Sequence, residues 1–321
     1  MRRIQTAVAN NAAVRWAFRP RKPYALHLEN VLGTSLELLL VASGDHAAHA
    51  AERDVLDEID RLASHLSGYV PTSEFHRWQQ TLDCDAVVSD ELANVLASAE
   101  QWRLRTGGAF NVGAEAIRQC RVAGIDVEEI VTRIREPLWR LDLDRSVARR
   151  LVDLPISLDA IAKGFIVSRA AGVATKFAGI ADVVLNVGGD IQHFGTNDRV
   201  VGIAHPLHAT ENAAPMSRVR IRNEAVATSG GYRRGFIADG SRHSHIIDPR
   251  TGRAATEVIS ASVIAVDCVT ADALSTAFSV LTPAESVAMA DAIDGIACLI
   301  VSCDGTITSN SLWKDHESVT L

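Results

Sequence analysis

The chain has 321 residues, 47% of them hydrophobic and 22% charged, enough apolar content for a sizeable core. Its 32 Lys and Arg against 39 Asp and Glu leave a formal net charge of −7, which argues against a nucleic-acid surface, since that needs a basic stripe. An anionic ligand stays open, because a metal ion or a helix N-terminus supplies positive potential locally.

Residues 1–24, with Arg19, Pro20, Arg21, Lys22 and Pro23, read as a mobile tail, and residues 25–321 as one domain. No apolar run of export-signal length follows Met1, and no stretch of about 18 apolar residues occurs. Membrane insertion is therefore not expected, and the cytoplasm is the expected location. Tyr24 to Ala42, rich in Leu and Val, reads as one strand bent or bulged at Gly33. Val55, Ile59, Leu62 and Leu66 recur with helical spacing, and Asp45 is a start signal for that helix. A second helix is expected over Asp90–Thr106, stopped by Gly107-Gly108; residues 121–155 carry no clear pattern. Asp159–Lys176 is helical in pattern, and Ala181–His193 reads as a strand ending in a Gly-Gly turn. Short strands follow at Arg199–Ala204, Ser217–Ile221 and Val226–Ser229, then a buried β-branched one at Val258–Val266. A helix from Thr270 to Leu281 comes next. Thr282-Pro283-Ala284-Glu285 is a capping box that opens the last helix, ending near Gly295, before a strand at Ile296–Val301. The alternation gives one α+β unit without repeat or linker. Neither a dinucleotide-fold glycine motif nor a P-loop is present.

Cys84, Cys120, Cys268, Cys298 and Cys303 include no CxxC pair, and their number is odd, so they read as reduced, mostly buried thiols.

Four segments carry groups suited to chemistry. Asp159, in Asp159-Ala160-Ile161-Ala162-Lys163-Gly164-Phe165, opens a helix, where a carboxylate serves as a cap or meets ligand hydroxyls. Asn186-Val187-Gly188-Gly189-Asp190 ends a strand in glycines that make a tight turn or admit a ligand to the backbone. Thr228-Ser229-Gly230 precedes His245-Ile246-Ile247-Asp248-Pro249-Arg250-Thr251-Gly252. There Pro249 holds Asp248 extended, and Asp248 either closes its own turn or orients His245. Asp272 and Thr276 stand one helical turn apart, which puts two hard oxygen donors on one face. The same Asp272 could equally serve the helix dipole.

Taken in this order, these segments resemble the ApbE family of FAD:protein FMN transferases, over residues 28–302. The resemblance implies an α+β fold, a single compact unit of mixed β-sheets flanked by helices (ApbE-like, T-fold-related). It implies Mg²⁺ held by the main-chain oxygen of Ala162 and by Asp272 and Thr276, with Ser275 beside them. It implies FAD contacts at Leu32, Ala109, Phe110, Asn111, Asp159, Phe165, His245 and Ile246. The family's Met-Gly-Thr stands here as Leu32-Gly33-Thr34. Two departures are visible: Asn111 replaces the family's usual Asp, removing a charge, and a Ser-to-Asn spacing becomes Ser73 to Gln79, with Trp78 adjacent.

The activity so implied is Mg-dependent transfer of FMN from FAD to a Ser or Thr hydroxyl of an acceptor protein, releasing AMP. His245 is the candidate base, oriented by Asp248 or a backbone group, and Asp272 acts through the ion. An FAD pyrophosphatase, a non-catalytic FAD-binding protein and a fold partner without ligand are the other readings. Asp272, Thr276 and His245 together favour an enzyme. They do not separate transferase from hydrolase, because only the acceptor differs.

Overall fold

Eight strands run in one antiparallel sheet whose spatial order is the order of the chain. They are β1 (Lys22–Val31), β2 (Thr34–Ala42), β3 (Ile180–Val187), β4 (Asp190–Gly195), β5 (Ala225–Ser229), β6 (Val258–Ala265), β7 (Ala297–Ser302) and β8 (Ile307–Ser309). Each pairs antiparallel with the next. This computed structural model describes residues 21–207, 214–230 and 246–318, and of 231–245 only Gly230's successors in two short paired strands, Gly235–Ala238 and Ser241–Ser244. The α+β expectation holds. Its sheets, expected to be mixed, are antiparallel at every pairing among the described residues.

Two expected single strands are hairpins. Tyr24–Ala42 turns back at Leu32 and Gly33, whose φ angles are 50° and 76°, leaving Val31 opposite Thr34. Along β2, Leu36, Leu38 and Leu40 are buried while their neighbours face outward, the period-two pattern of a half-buried strand. β1 starts at Lys22, so Lys22, Pro23 and Tyr24 belong to the sheet rather than to a tail ending at residue 24. Ala181–His193 turns at Gly188-Gly189, with φ of 64° and 100°. A Cβ on Gly188 would lie 2.7 Å from the Thr34 side chain, so the tips of the two hairpins pack against each other.

The long excursion between β2 and β3 carries a helical layer. Helix α1 (Asp45–Leu66) buries Ala48, Ala51, Val55, Ile59, Leu62 and Leu66, the stripe its spacing announces. Helix α2 (Asp90–Arg105) is capped by Ser89, whose side chain accepts from the Leu92 N–H. Helix α3 (Asp159–Ala174) is apolar around most of its circumference and lies between α1, β3 and β4. Residues 121–155, which have no clear periodicity, contain a short helix Glu128–Arg133 and the strands Trp139–Asp142 and Val147–Arg150, the latter also paired with Asp85–Val87.

After β6 comes α4 (Cys268–Phe278), two residues earlier than expected because Asp267 caps it by accepting from the Thr270 N–H. Then α5 (Pro283–Asp291) opens on the expected capping box: the Glu285 carboxylate accepts from the Thr282 N–H at 2.9 Å and Thr282 Oγ1 accepts from the Glu285 N–H at 3.3 Å. A last short helix, Ser311–His316, buries Trp313 completely in a second core beneath the hairpin Arg199–Ile203 and Ser217–Ile221. All five cysteines are free. Only Cys268 and Cys298 are buried, however, and Cys84 and Cys303 are exposed, which corrects the expectation of mostly buried thiols. No helix among the described residues is long and apolar enough to cross a membrane.

Helix α3 approaches α4 at Gly164, where a Cβ would sit 2.3 Å from the Cys268 carbonyl oxygen and 2.9 Å from Asp272 Cβ. Gly164→Ala should therefore lower unfolding free energy by about 1–3 kcal/mol, the usual cost of overpacking. A lower urea midpoint at unchanged slope would show this.

His316 Nε2 lies 3.1 Å from Glu224 Oε1, and that bond raises the imidazole above its ordinary value of 6.5. The folded protein holds this proton more tightly than the unfolded chain does. The contribution is therefore complete below pH 6.5 and is lost as pH rises through the folded value. His316→Gln should flatten that limb of the stability–pH curve, measured by denaturant titration across neutral pH.

Candidate active site

The segment Asp159–Phe165 forms the first turns of α3 and presents two successive groups, one side-chain and one backbone, to its neighbours. Gly164 donates its N–H to Asp272 Oδ2 at 3.1 Å. Half-buried Lys163 donates to the Asp190 carboxylate, which is 2% exposed and heads β4 just past the Gly188-Gly189 turn. Asp272, on the second turn of α4, is 3% exposed, and its carboxyl also meets that of Asp190.

Burial pushes the Asp272 carboxyl up to about 7, and the charge of Asp190 adds to the effect. Burial likewise raises Asp190, against the pull of Lys163. For Lys163 burial works the other way, but Asp190 and Asp272 outweigh it and hold the ammonium charged. Two acids and one base thus share a buried site, where desolvation and the acids' mutual repulsion oppose ionisation of both carboxyls at once.

Thr276 lies one turn beyond Asp272 and is half-buried. Ser229, at the end of β5, reaches both hydroxyls of this helix face, 2.8 Å from Ser275 Oγ and 3.3 Å from Thr276 Oγ1. Ser275 is fully buried and donates to the Asp272 carbonyl oxygen at 3.0 Å, so its hydroxyl is engaged inside the helix packing. The donor set fits a divalent ion: a buried carboxyl that accepts one backbone N–H, and a hydroxyl one turn away. Ala162, buried on α3, is two residues from the amide that bonds Asp272.

The expected flavin contacts fall into two groups. Asp159 and Phe165 share α3 with the charge cluster, and the Arg169 guanidinium lies 5.9 Å from the Phe165 ring centroid. Asp159 accepts from the hydroxyl of Tyr69, a ring 79% exposed. Sequence reading missed Tyr69. The available signal was an aromatic residue in the polar loop Gly68-Tyr69-Val70-Pro71, where no core needs it. Leu32 stands at the β1–β2 tip.

In the second group, Ala109 and Phe110 are each 1% exposed and part of the core, so any ligand contact there comes from the main chain. Asn111 borders a cavity of about 310 Å³ between Arg103, Arg135, Pro249 and Arg250. Its amide nitrogen donates to the Ile134 carbonyl at 2.8 Å and its oxygen accepts from the Gly113 N–H at 2.9 Å.

In the segment that carries Pro249 and Arg250, the main-chain oxygen of Ile246 accepts from the Ala255 N–H at 3.0 Å. The Asp248 carboxylate is held by the Arg250 guanidinium through two bonds of 3.0 Å and by the Arg250 N–H at 2.9 Å. Asp248 therefore closes its own turn, the first of the two roles its sequence offers. Arg121 and Arg135 fasten the same turn by donating to the carbonyls of Gly252 and Arg250. His245 itself lies outside the described residues.

The departures near Ser73 are structural. Ser73 caps the helix Glu74–Gln79, and the Gln79 side-chain oxygen accepts from the Ile156 N–H at 3.1 Å, steadying the strand of chain that enters α3. Trp78 is buried against Phe75.

This fold, an antiparallel sheet with helices over one long excursion, matches solved structures of ApbE proteins. The ApbE protein of Thermotoga maritima matches with a TM-score of 0.81 at 25% identity, covering 93% of this chain and all of that one. The apo form of the Pseudomonas stutzeri flavinyl transferase ApbE matches at 0.79 and 23%, covering 94% and 98%. In sequence, residues 32–300 match the ApbE family. The FAD:protein FMN transferase of Vibrio cholerae is 30% identical over 275 residues, 79% of this chain and 81% of that protein. The Treponema pallidum protein of the same name is 29% identical, covering 91% and 88%. The chain belongs to the ApbE family.

Restoring the family's acid at position 111 tests the local bonding. In Asn111→Asp a carboxylate would face the Ile134 carbonyl, at a cost of about 1–3 kcal/mol for the lost donor. The new acid's folded pKa is raised, so the cost is present above that value and relieved as pH falls through it. Thermal melts at neutral and acid pH should show a deficit that shrinks in acid.

Proposed function

We propose that this chain transfers the FMN half of FAD to a Ser or Thr hydroxyl of an acceptor protein. The observation that carries this reading is the Asp272 carboxylate, buried beside Lys163 and Asp190, bonded to the Gly164 amide and one turn from Thr276. Relatives named FAD:protein FMN transferase support the same reading over most of their length.

Asp272, Thr276 and the main-chain oxygen of Ala162 would hold the Mg²⁺ ion. Bound there, it supplies positive charge to a diphosphate that must lose an electron pair to its leaving group. Ser229, itself bonded to Ser275, would hold Thr276 in place through its hydroxyl. Asp159, with Tyr69, and Phe165 would orient the nucleotide along α3. Leu32, the main chain of Ala109 and Phe110, Asn111 and Ile246 would complete its binding.

In the reaction the acceptor's hydroxyl oxygen bonds to the flavin-side phosphorus. The bridging P–O bond breaks, AMP departs with that electron pair, and the hydroxyl proton passes to a base. His245 is the proposed base, from the sequence context His-Ile-Ile-Asp-Pro, and a hydroxyl needs such help at neutral pH. The five free thiols support a reducing compartment, and the cytoplasm is the proposed location.

Incubation of a candidate acceptor with the protein, FAD and Mg²⁺ tests this by mass spectrometry. Covalent FMN on a Ser or Thr peptide, with AMP released in equal amount, is the expected result. Free FMN and AMP without an adduct would instead identify a hydrolase. Asp272→Ala should abolish turnover, with an unfolding midpoint no lower than that of wild type, because removal of the acid also relieves its repulsion with Asp190. Retained activity without added metal would remove Asp272 from the site.

A further inference from the structure

Two buried acids face each other between α3, α4 and β4, yet one of them is already taken by a cation of the protein's own. Asp190 is bound by the Lys163 ammonium, and Lys163 immediately precedes Gly164, whose amide donates to Asp272. A pair of unclaimed carboxylates would hold a divalent ion by itself. With Lys163 in place only one carboxylate is open, and a positive charge sits close by.

We propose that Lys163 makes cation binding at this site conditional on FAD. Its ammonium withdraws Asp190 from the donor set and repels a bare divalent ion, so the ion is retained only when substrate phosphate oxygens complete its shell. This rests on the reading that Asp272 holds the ion. Lys163 acts here as a positioning residue through Asp190, and its signature is a coupling between two ligands. By linkage, that coupling must be the same whichever ligand is titrated first.

The test uses Mn²⁺ as the probe, with binding followed by electron paramagnetic resonance of the free ion, with and without saturating FAD. FAD affinity is followed in parallel by flavin fluorescence. Wild-type protein should bind Mn²⁺ weakly alone and at least about tenfold more tightly with FAD, an increase that FAD affinity mirrors. Lys163→Met frees Asp190 and removes the repelling charge. It should bind Mn²⁺ alone at least about tenfold more tightly than wild type, with smaller coupling to FAD. Adding Asp190→Asn to Lys163→Met should return Mn²⁺ binding toward the weak wild-type level. The proposal is overturned if wild type binds Mn²⁺ equally with and without FAD, a measurement that needs no variant to fold. It is overturned too if Lys163→Met binds no better than wild type, or if the double variant stays as tight as the single. Asp272→Ala separates the two readings: Mn²⁺ binding unchanged there would show that Asp272 does not hold the ion, and the Lys163 proposal would fall with it.

Discussion

Helices α3 and α4 can touch only because residue 164 has no side chain, and the site is organised around that contact. The gap left by the missing Cβ is occupied by the Cys268 carbonyl and by Asp272, and the Gly164 amide bonds the acid directly. Every other feature of the cluster follows from this distance. Lys163 is carried to Asp190, the acid pair is sealed from water, and Thr276 is brought level with Ser229. The low accessibility then gives the charges their force, since the same groups in water would interact weakly.

Much of this was legible in the sequence where one rule dominated. The α1 stripe, the α5 capping box and the β6 strand were read correctly because periodicity, capping chemistry and β-branching each pointed one way. Tyr24–Ala42 was misread as a single strand because its turn lacks an Asn-Gly, Asp-Gly or Gly-Gly signal, whereas the Gly188-Gly189 turn was announced by its glycines. Leu32-Gly33 puts a leucine at positive φ, which tertiary packing of the two tips imposes and local preference does not. Residues 121–155 gave nothing because the helix and strands within them are only four to six residues long, too short for a period to appear.

The site was legible as a set of letters and less so as a set of partners. Asp272 and Thr276 at helical spacing announced a shared face. That Asp190 would join them across 82 residues of chain was not visible, whereas the turn that Asp248 closes with Arg250 was one of the roles its sequence offered. Asn111 looked like a lost charge and is in fact a donor to Ile134, a role the acid could not fill. Such exchanges between charge and hydrogen bonding depend on what stands opposite, and the opposite residue belongs to another element.

Because the eight strands lie side by side in chain order, each excursion leaves the sheet and returns between adjacent strands. A change in the length of one excursion leaves the register of the others untouched, since closing a longer surface loop costs little. The sheet is in this sense a rack of independent slots. The slot between β2 and β3 holds most of the helices, and the one between β4 and β5 holds a hairpin under the C-terminal helix. Outward-facing variation in size among chains of this architecture can accumulate slot by slot while the α3–α4 contact stays fixed.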